Sequence, residues 1–378
     1  MSKRLGAIRT DSIDSAHDGG LRYIRGETGP GIVRQKRGRG FVYLSVDGKR
    51  VRDQATLKRI RALVIPPAWA HVWICPQPNG HLQAVGRDAK GRKQYRYHPQ
   101  YRRIRDQVKF DRMLFFGPAL PRIRRRVRHD LKLPGMPKEK VLAAVVRLLD
   151  ETFARVGNDE YLRSNGSYGL TTLENKHARI RGAELRLRFR GKSGQSLDLS
   201  LRDNRLARIV KKCQHLPGQE LFQYQAESGE LQAISSGDVN GYLREITGQD
   251  ITAKDFRTWH GTRQMFIELN KAGPASSKSE AKKKILSAVK ETASQLGNRP
   301  ATCRKYYIHP AVVESYLSEK MFQVPHPKLG RPQPRGHEAA MLALLKQFHS
   351  PNLSGQSTPA RRKPTRRISK VHTWALAS

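Results

Sequence analysis

The stretch GNRPATCRKYYIHP at residues 297–310 places two tyrosines, Tyr306 and Tyr307, directly after Arg304 and Lys305. Nearby positive charge favours the phenolate and lowers the pKa of a tyrosine from its ordinary value of about 10. A tyrosine among cations is therefore a candidate nucleophile toward a phosphate. The same pattern is also typical of ordinary core or surface aromatics, so features elsewhere in the chain must decide between the two interpretations.

The chain around this stretch is strongly basic. Its 378 residues include 72 Lys and Arg against 32 Asp and Glu, a net charge of +40. Such an excess, spread along the whole length, is typical of a protein that holds a polyanion through many phosphate contacts. Nucleic acid is the leading candidate partner, and the length predicts two domains plus tails.

Other classes of protein fit the sequence less well. It has no uninterrupted apolar run near the roughly 18 residues of a membrane helix and no lipidation motif, so no membrane association is expected. Residues 1–20 have no apolar core, which argues against a secretory signal. Cys75, Cys213 and Cys303 lie far apart, which predicts a reducing compartment with neither a disulfide framework nor a zinc cluster.

The first part of the chain has the pattern of short strands. Residues 1–20 are polar and are predicted to form a flexible arm. From Leu21, apolar and polar residues alternate between Gly-rich turns, and Asp47-Gly48 is a hairpin signal. We therefore predict a small, mostly β domain over residues 21–105.

Residues 91–97, GRKQYRY, interleave cations with aromatic and amide side chains. On a strand, alternate residues face opposite sides, and either face can lie against a duplex. A solvated edge strand protected by charge is the alternative interpretation. The residues predicted here to contact DNA are Arg92, Lys93, Gln94, Tyr95 and Tyr97.

The next part, residues 106–348, is predicted to be a larger and mainly helical domain. The cationic run at 121–135 is typical of a solvated helix face, although it could also follow a DNA backbone. From Lys138, apolar residues recur at helical spacing until Gly157, which puts Arg155 in the last turn. Further helices are predicted at 237–247 and 252–272.

Two more helices surround the tyrosine stretch. One begins at Ser277, with Glu280 completing a capping box, and stops at Gly297. The other begins at Pro310. Residues 349–378 are rich in Pro, Ser and Arg, and we predict a disordered basic tail.

A β-hairpin interrupts the helical pattern. Its strands LRLRFR and SLDLSL are joined by a turn that contains Lys192. The Gly191-Lys192-Ser193 sequence half resembles a phosphate-binding loop, but that motif requires glycine where Arg186 stands. Nucleoside triphosphate binding is therefore not expected.

These features occur in the order Arg155, Lys192, Lys254-x-x-Arg257 and a late tyrosine, and the chain resembles the short, poxvirus-like viral and bacterial form of type IB DNA topoisomerase. The likeness covers about residues 21–345. It rests on six motifs: IPPAW, DAKGRKQYRYH, RVGNDEYLRSNGSYGLTTLENKH, RFRGKSG, KDFRTWHGT and CRKYYIHP.

The resemblance implies an α+β protein, in which a small antiparallel β-sheet domain and a mainly α-helical catalytic domain form a monomeric clamp around duplex DNA. It implies relaxation of supercoils by single-strand cleavage through a 3′-phosphotyrosyl intermediate, strand rotation and religation. No cofactor, nucleotide or metal is expected. The implied location is cytoplasmic, with the bacterial nucleoid.

The resemblance also assigns roles to single residues. Tyr307 is the nucleophile, because it directly precedes Ile-His-Pro, and Tyr306 is its internal control. Arg155 and Arg257 hold the non-bridging phosphate oxygens. Lys192 on the hairpin protonates the leaving 5′-oxygen.

One position departs from the family pattern. Nine residues before the nucleophile the family often has a histidine that donates to a phosphate oxygen, and this chain has Asn298. An amide can donate to the same oxygen but carries no charge. His260 is a weaker candidate for that role, and Lys254 is predicted to contact DNA.

The charged residues suit this chemistry. In-line displacement at a phosphodiester develops negative charge that fixed guanidinium groups stabilise, and the departing alkoxide needs a proton. The sequence has no DxD pair or HExxH motif that would seat metal ions.

Two other functions remain open on the sequence alone. A tyrosine recombinase shares the catalytic Arg, Lys, Arg and Tyr, but it usually shows His-x-x-Arg where Lys254 and Arg257 stand here, and it lacks this β domain. A non-catalytic architectural DNA binder would account for the charge alone.

Overall fold

The computed structural model describes residues 12–27, 29–226, 228–324 and 334–349. The first part of the chain forms an antiparallel sheet of five strands in the order β2-β1-β3-β4-β5. The strands are β1 (Ile32–Arg37), β2 (Gly40–Leu44), β3 (Ala70–Ile74), β4 (Leu82–Arg87) and β5 (Lys93–Tyr97). We call this part, residues 12–98, the sheet lobe.

Side chains from both faces of this sheet are buried. Strand β3 contributes Val72 and Ile74 to a core that Ile60 of helix α2 (Gln54–Ala62) completes. On the opposite face, Trp73 packs with Val85 of β4. The exposed edge strand is β5, whose side chains alternate between half-buried and exposed as predicted for a strand.

The hairpin signal at Asp47-Gly48 was only partly right. A turn does form there, with Gly48 at φ +78 and the Ser45 amide bonded to the Lys49 carbonyl. The chain after this turn makes a single bridge, from Leu44 to Arg50, and no strand. The β1–β2 hairpin instead turns between Arg37 and Gly40.

The prediction of a flexible arm over residues 1–20 is wrong for the residues that the structure describes. Helix α1 (Ser12–Asp18) buries Ala16 completely, and Ala16 packs with Leu21 and Tyr101. The short apolar surface of residues 13–21 was too brief to show a helical period in the sequence. Residues 1–11 lie outside the described part of the chain.

Helix α3 (Pro99–Asp111) runs between the two parts of the protein. Near its start Tyr101 packs in the sheet lobe, and at its end Phe110 packs in the core of the helical part. The boundary predicted at residue 105 falls inside this helix. The remainder, residues 112–349, is the helical lobe.

The helical lobe has one large core that joins its helices. The helices are α4 (Met113–Asp130), α5 (Lys138–Glu151), α6 (Asp159–Asn165), α7 (Asn204–Gln214), α8 (Ser236–Thr247), α9 (Ala253–Ala272), α10 (Lys278–Gln295), α11 (Pro300–Tyr306), α12 (Pro310–Leu317) and α13 (Pro334–His349). Short 3-10 turns lie at Leu170–Thr172, Asn175–His177, Lys192–Gly194 and Lys320–Gln323.

Two small antiparallel sheets cover this core. One has three strands, β6 (Ala178–Arg181), β7 (Glu184–Arg190) and β8 (Ser196–Arg202), and the other pairs β9 (Gln223–Gln225) with β10 (Leu231–Ala233). The predicted hairpin is β7–β8. In β7 the residues Leu185, Leu187 and Phe189 face the core while the intervening residues are exposed.

Capping residues explain why several helix predictions were accurate. The Ser277 side chain accepts from the Glu280 amide at the start of α10, and Gly297 at φ +59 follows its end. Pro310 opens α12. The strands and helices described above confirm a mixed α/β fold with an N-terminal antiparallel sheet and a helical core.

The helix predicted to reach Gly157 ends earlier. Helix α5 stops at Glu151, and its cap Thr152 is extended, with φ −118. The backbone of Arg155 and Val156 pairs instead with the amides of residues 170 and 171. Arg155 therefore lies in an extended segment, because these non-local hydrogen bonds replace the helical ones.

Helix α13 packs Met341 and Leu344 into the helical core. Of the predicted basic tail at 349–378, residues 350–378 lie outside the described part of the chain. Within the described residues, the structure has no helix that is long and apolar enough to span a membrane.

Candidate active site

Tyr307 sits where α11 ends, and α9 packs against its backbone. Its amide donates to the Cys303 carbonyl at 2.9 Å, and the Thr262 hydroxyl donates to the Tyr307 carbonyl at 3.1 Å. A Cβ at Gly261 would lie 2.6 Å from that carbonyl oxygen, so only glycine permits this approach. The His-Gly-Thr motif of α9 thus fixes the tyrosine backbone.

Arg257 lies beneath the ring of Tyr307. Its guanidinium carbon is 5.0 Å from the ring centroid, and the residue is 5 % exposed. Nη1 donates to the Phe153 carbonyl, and Nη2 donates to the Leu296 carbonyl at 2.9 Å. Within the described residues, the Nε of Arg257 is buried and has no hydrogen-bond partner.

Burial lowers the pKa of Arg257 to about 10, and the neighbouring charge of Arg155 acts in the same direction. At neutral pH the guanidinium is still charged. A cation held in this way, by backbone carbonyls and away from water, interacts with a nearby anion more strongly than an exposed one.

Arg155 is half-buried and donates through Nη2 to the Oδ1 atom of Asn298 at 2.8 Å. The Asn298 amide nitrogen lies 3.4 Å from the Leu296 carbonyl, which also accepts from Arg257. Arg155, Asn298 and Arg257 therefore form one connected group. The structure brings these three predicted site residues together with Tyr307.

Two glycines hold the backbone next to Arg155. Gly157 has φ +111, and a Cβ at Gly169 would lie 2.4 Å from the Gly157 Cα and 2.9 Å from the Arg155 carbonyl oxygen. The Leu170 amide donates to that carbonyl at 2.9 Å. The close contact of two glycine backbones thus sets where the Arg155 side chain starts.

Lys192 lies on the turn between β7 and β8 and is exposed. Its ammonium nitrogen is 4.8 Å from the ring centroid of Tyr161 on α6. It also lines a cleft of about 530 Å³ together with Lys254, Tyr306 and Tyr307. The lysine therefore faces the same open space as the tyrosine.

The cations around Tyr307 change its acidity. Burial opposes ionisation of the phenol, but the charges of Arg257, Arg155 and Lys192 and a hydrogen bond from Arg257 outweigh it, so the pKa lies below its ordinary value. Tyr306 is 40 % exposed, its ring centroid lies 5.5 Å from the Lys109 ammonium and 5.3 Å from that of Lys305, and its carbonyl accepts from Lys109. The two adjacent tyrosines thus differ in exposure and in the cations beside them.

The start of α9 is held by Arg112, the residue between α3 and α4. Arg112 donates to both carboxylate oxygens of Asp255, at 3.0 and 2.8 Å, and pairs with Asp250. Asp255 also completes the capping box with Thr252. These contacts fix the helix that carries Lys254 and Arg257.

The residues predicted on the sheet lobe share β5 and the turn before it. Tyr95 and Tyr97 are exposed and stacked, with ring centroids 6.0 Å apart. Lys93 pairs with Glu27. Gln94 is half-buried and, like Arg92, donates to Asp88, so its amide is already engaged.

The prediction that His260 contacts DNA is wrong. The residue is 1 % exposed, and its Nε2 lies 3.1 Å from the Leu149 carbonyl. Burial lowers its pKa to about 4, so it is neutral and belongs to the core. His260 follows Arg257 by three residues on the same helix, but it lies on the side that packs against α5.

In the part of the chain that the structure describes, no three His, Cys, Asp or Glu side chains are grouped so that they could hold a metal ion.

Comparisons with known proteins agree with this geometry. Residues 98–325 match the family model "Eukaryotic DNA topoisomerase I, catalytic core", and residues 40–88 match "Bacterial DNA topoisomerase IB, N-terminal domain". The first match covers more than half of the chain. The chain belongs to the type IB DNA topoisomerase family.

Viral relatives of this family give the same result. DNA topoisomerase 1B of Acanthamoeba polyphaga mimivirus is 35 % identical over 305 residues, which cover 78 % of this chain and 90 % of that protein. DNA topoisomerase 1B of Vaccinia virus (strain Copenhagen) is 26 % identical over 249 residues, or 64 % of this chain and 74 % of that protein. This member is thus of the short viral and bacterial type IB form.

The sequence did not reveal two charged residues that line this cleft. Lys109 and Arg112 lie in a region rich in cations, where nothing in the pattern separates a site residue from a solvated one. Only the packing of α3 and α4 against α9 and α11 distinguishes them. A cation beside a buried aromatic, as in Lys109-Phe110, was the one available signal.

Proposed function

We propose that this type IB topoisomerase relaxes supercoiled duplex DNA by transient cleavage of one strand, with Tyr307 as the nucleophile. The observation that carries the proposal is the place of Tyr307, which lines one cleft with Lys192 and has the Arg257 guanidinium 5.0 Å from its ring centroid. The charges of Arg257, Arg155 and Lys192 also lower the pKa of its phenol. Phenolate is the attacking form, and the lowered pKa increases its fraction at neutral pH.

In the cleavage step, the phenolate oxygen of Tyr307 forms a bond to phosphorus while the bond from phosphorus to the 5′-oxygen breaks. The 3′ end remains attached to the enzyme as a phosphotyrosine. The proton lost by the phenol passes to solvent, and Lys192 supplies a proton to the leaving 5′-oxygen. Because one phosphodiester replaces another, religation is the reverse reaction and needs no ATP.

Arg155 and Arg257 bind the two non-bridging oxygens as negative charge develops on the phosphoryl group. The buried Nε of Arg257, unpaired within the described residues, supports this role, because such a donor is satisfied when an oxygen anion binds. Asn298 orients Arg155 through its 2.8 Å hydrogen bond. Its amide nitrogen can donate to the same phosphate, with no charge and no dependence on pH.

The sheet lobe and the helical lobe form a clamp on DNA in this proposal, with one chain sufficient for activity. Lys254 at the cleft and Arg92, Lys93, Tyr95 and Tyr97 on the sheet lobe contact the duplex. Gln94 can read a base edge only after it leaves Asp88. Domain boundaries at residues 21, 105 and 348 and a DNA-binding role for the tail belong to the same proposal.

Bacterial chromosomal DNA is the expected substrate, which the match to the bacterial N-terminal domain supports. The catalytic charge comes from fixed side chains in this mechanism, so divalent metal is not required. Neither paired recombination sites nor synapsis is needed.

One experiment tests these statements together. A supercoiled plasmid is incubated with the protein in EDTA without ATP, deproteinised and run on a gel. The proposal predicts full relaxation. A non-catalytic binder would leave the linking number unchanged, and a recombinase would give products only with paired sites.

A further inference from the structure

Helix α3 touches the tyrosine segment from a side that the mechanism above does not use. The Lys109 ammonium donates to the carbonyl of Tyr306, the residue directly before Tyr307. It lies 5.6 Å from the ring centroid of Tyr307 and 4.7 Å from that of Phe110. Its stem and its charge are thus packed among three aromatic rings, since Tyr306 is also within 5.5 Å.

This contact lies at the cleft, where the lysine side chain is half-buried and the hydrogen bond is exposed. Burial lowers the pKa of Lys109 to about 8, and the charge of Lys254 adds to this, while Asp106 and Asp255 oppose it. Lys254, by contrast, is exposed. An ammonium that already donates to a backbone carbonyl is suited to hold the chain at that carbonyl.

Phe110, the residue after Lys109 on α3, is buried and also contacts the tyrosine segment. Phe110 is 7 % exposed and meets the His309 ring edge-on at 5.1 Å, two residues after Tyr307. At the start of the same helix, Tyr101 is buried in the sheet lobe. Helix α3 therefore touches the chain on both sides of the nucleophile and is itself anchored.

Thr262 and Gly261 hold the Tyr307 backbone from the α9 side. Lys109 holds the preceding carbonyl from the α3 side. Together the two contacts hold the carbonyl before Tyr307 and the carbonyl of Tyr307 itself, so they constrain the backbone on both sides of the Tyr307 Cα. A displacement of about 1 Å in a reacting group can cost roughly 10²-fold in rate, so this constraint is relevant to catalysis.

We propose that Lys109 is a positioning residue that orients Tyr307 for attack by holding the Tyr306 carbonyl. The proposal rests on Tyr307 being the nucleophile. Because the tyrosine must occupy the same place in cleavage and in religation, loss of Lys109 slows both steps by the same factor. The amount of covalent complex at equilibrium therefore stays unchanged.

The test is single-turnover cleavage and religation by Lys109→Met in the full chain, at saturating DNA. Met keeps most of the apolar stem and removes the donor. We expect both rates to fall by roughly 10- to 100-fold. Lys109→Arg, which keeps a donor, is expected to restore most of the rate. A substrate with a better 5′ leaving group should not restore Lys109→Met.

Lys211→Met is the matched control, because it removes the same charge from an exposed position in the last turn of α7. It should leave both rates unchanged. If Lys109→Met weakens DNA binding but cleaves normally at saturation, Lys109 is a phosphate contact and the proposal is overturned. Equal rates in Lys109→Met and wild type would also overturn it.

These outcomes are separate from failure of the proposed function. If wild type forms no covalent complex with DNA, the nucleophile assignment fails. If wild type cleaves and only Lys109→Met is without effect, the positioning role alone fails.

Discussion

Two cations of the candidate site, Arg257 and Lys192, are held in opposite ways. Arg257 is buried in α9, and two backbone carbonyls hold its guanidinium in place. Lys192 is exposed on a hairpin turn, with its ammonium 4.8 Å from the ring centroid of Tyr161. The difference matches the two chemical needs: charge stabilisation requires a fixed group, whereas proton delivery requires one that can reach the leaving oxygen.

The proposed roles of both cations depend on Tyr307, so loss of the Tyr307 hydroxyl should have the largest effect. Tyr307→Phe removes the hydroxyl oxygen proposed to bond to phosphorus and should abolish relaxation, while DNA affinity is kept. A plasmid relaxation assay with a binding assay checks this. Tyr306→Phe is the control and should remain active, and the opposite result would move the nucleophile by one residue.

The role of the exposed cation is tested by Lys192→Ala. General acid catalysis contributes roughly 10²- to 10⁴-fold, so cleavage should slow by that factor. A substrate whose 5′ leaving group needs no proton should restore the rate. Single-turnover cleavage of the two substrates makes the comparison, and absence of rescue would remove Lys192 from the acid role.

The role of the buried cation is tested by Arg257→Ala. Loss of a fixed donor to the developing charge should cost roughly 10²- to 10³-fold, and the better leaving group should not restore it. Arg257 also lowers the pKa of Tyr307, so its loss raises that pKa. The rising limb of the cleavage rate should therefore move to higher pH, and by more than in Lys192→Ala.

That pH comparison can contradict the contrast between the two cations. The cleavage rates of wild type, Arg257→Ala and Lys192→Ala are measured from neutral to alkaline pH. If the cleavage rate of Arg257→Ala rises at the same pH as that of wild type, the guanidinium does not control ionisation of Tyr307. If both variants are rescued by the better leaving group, the two cations do not have separate roles.

A smaller effect is expected when the contact between α9 and the Tyr307 backbone is disturbed. Gly261→Ala places a methyl group 2.6 Å from the Tyr307 carbonyl and should displace the nucleophile. We expect cleavage to fall by up to about 10²-fold with normal DNA affinity. Gly241→Ala on α8 has open space around its Cβ and should cleave at the wild-type rate. Equal activity of both variants would show that α9 does not fix Tyr307.

The sequence predicted the parts of the fold that depend on local signals. Capping residues fixed the start of α10 at Ser277 and that of α12 at Pro310, and strict alternation identified β7 and β8. The end of α5 was misplaced because non-local hydrogen bonds to residues 170 and 171 hold Arg155 extended. No periodicity could show those bonds.

The candidate site divides in the same way. Ordered motifs predicted roles for five residues: Tyr307, Arg257, Arg155, Lys192 and Asn298. In the structure Arg257 contacts the Tyr307 ring, Arg155 bonds to Asn298, and Lys192 lines the same cleft as Tyr307. His260 was misassigned because helical spacing from Arg257 does not reveal which neighbour packs against that face. Lys109 was missed because only tertiary contact distinguishes it from other lysines in a basic helix.

The most direct test of the account is to identify the atom that becomes attached to DNA. The full chain is incubated with an end-labelled duplex in EDTA, denatured and digested, and the DNA-linked peptide is analysed by mass spectrometry. The account predicts a 3′-phosphate ester on Tyr307. No adduct, an adduct that forms only with divalent ions, or one on another residue would contradict it.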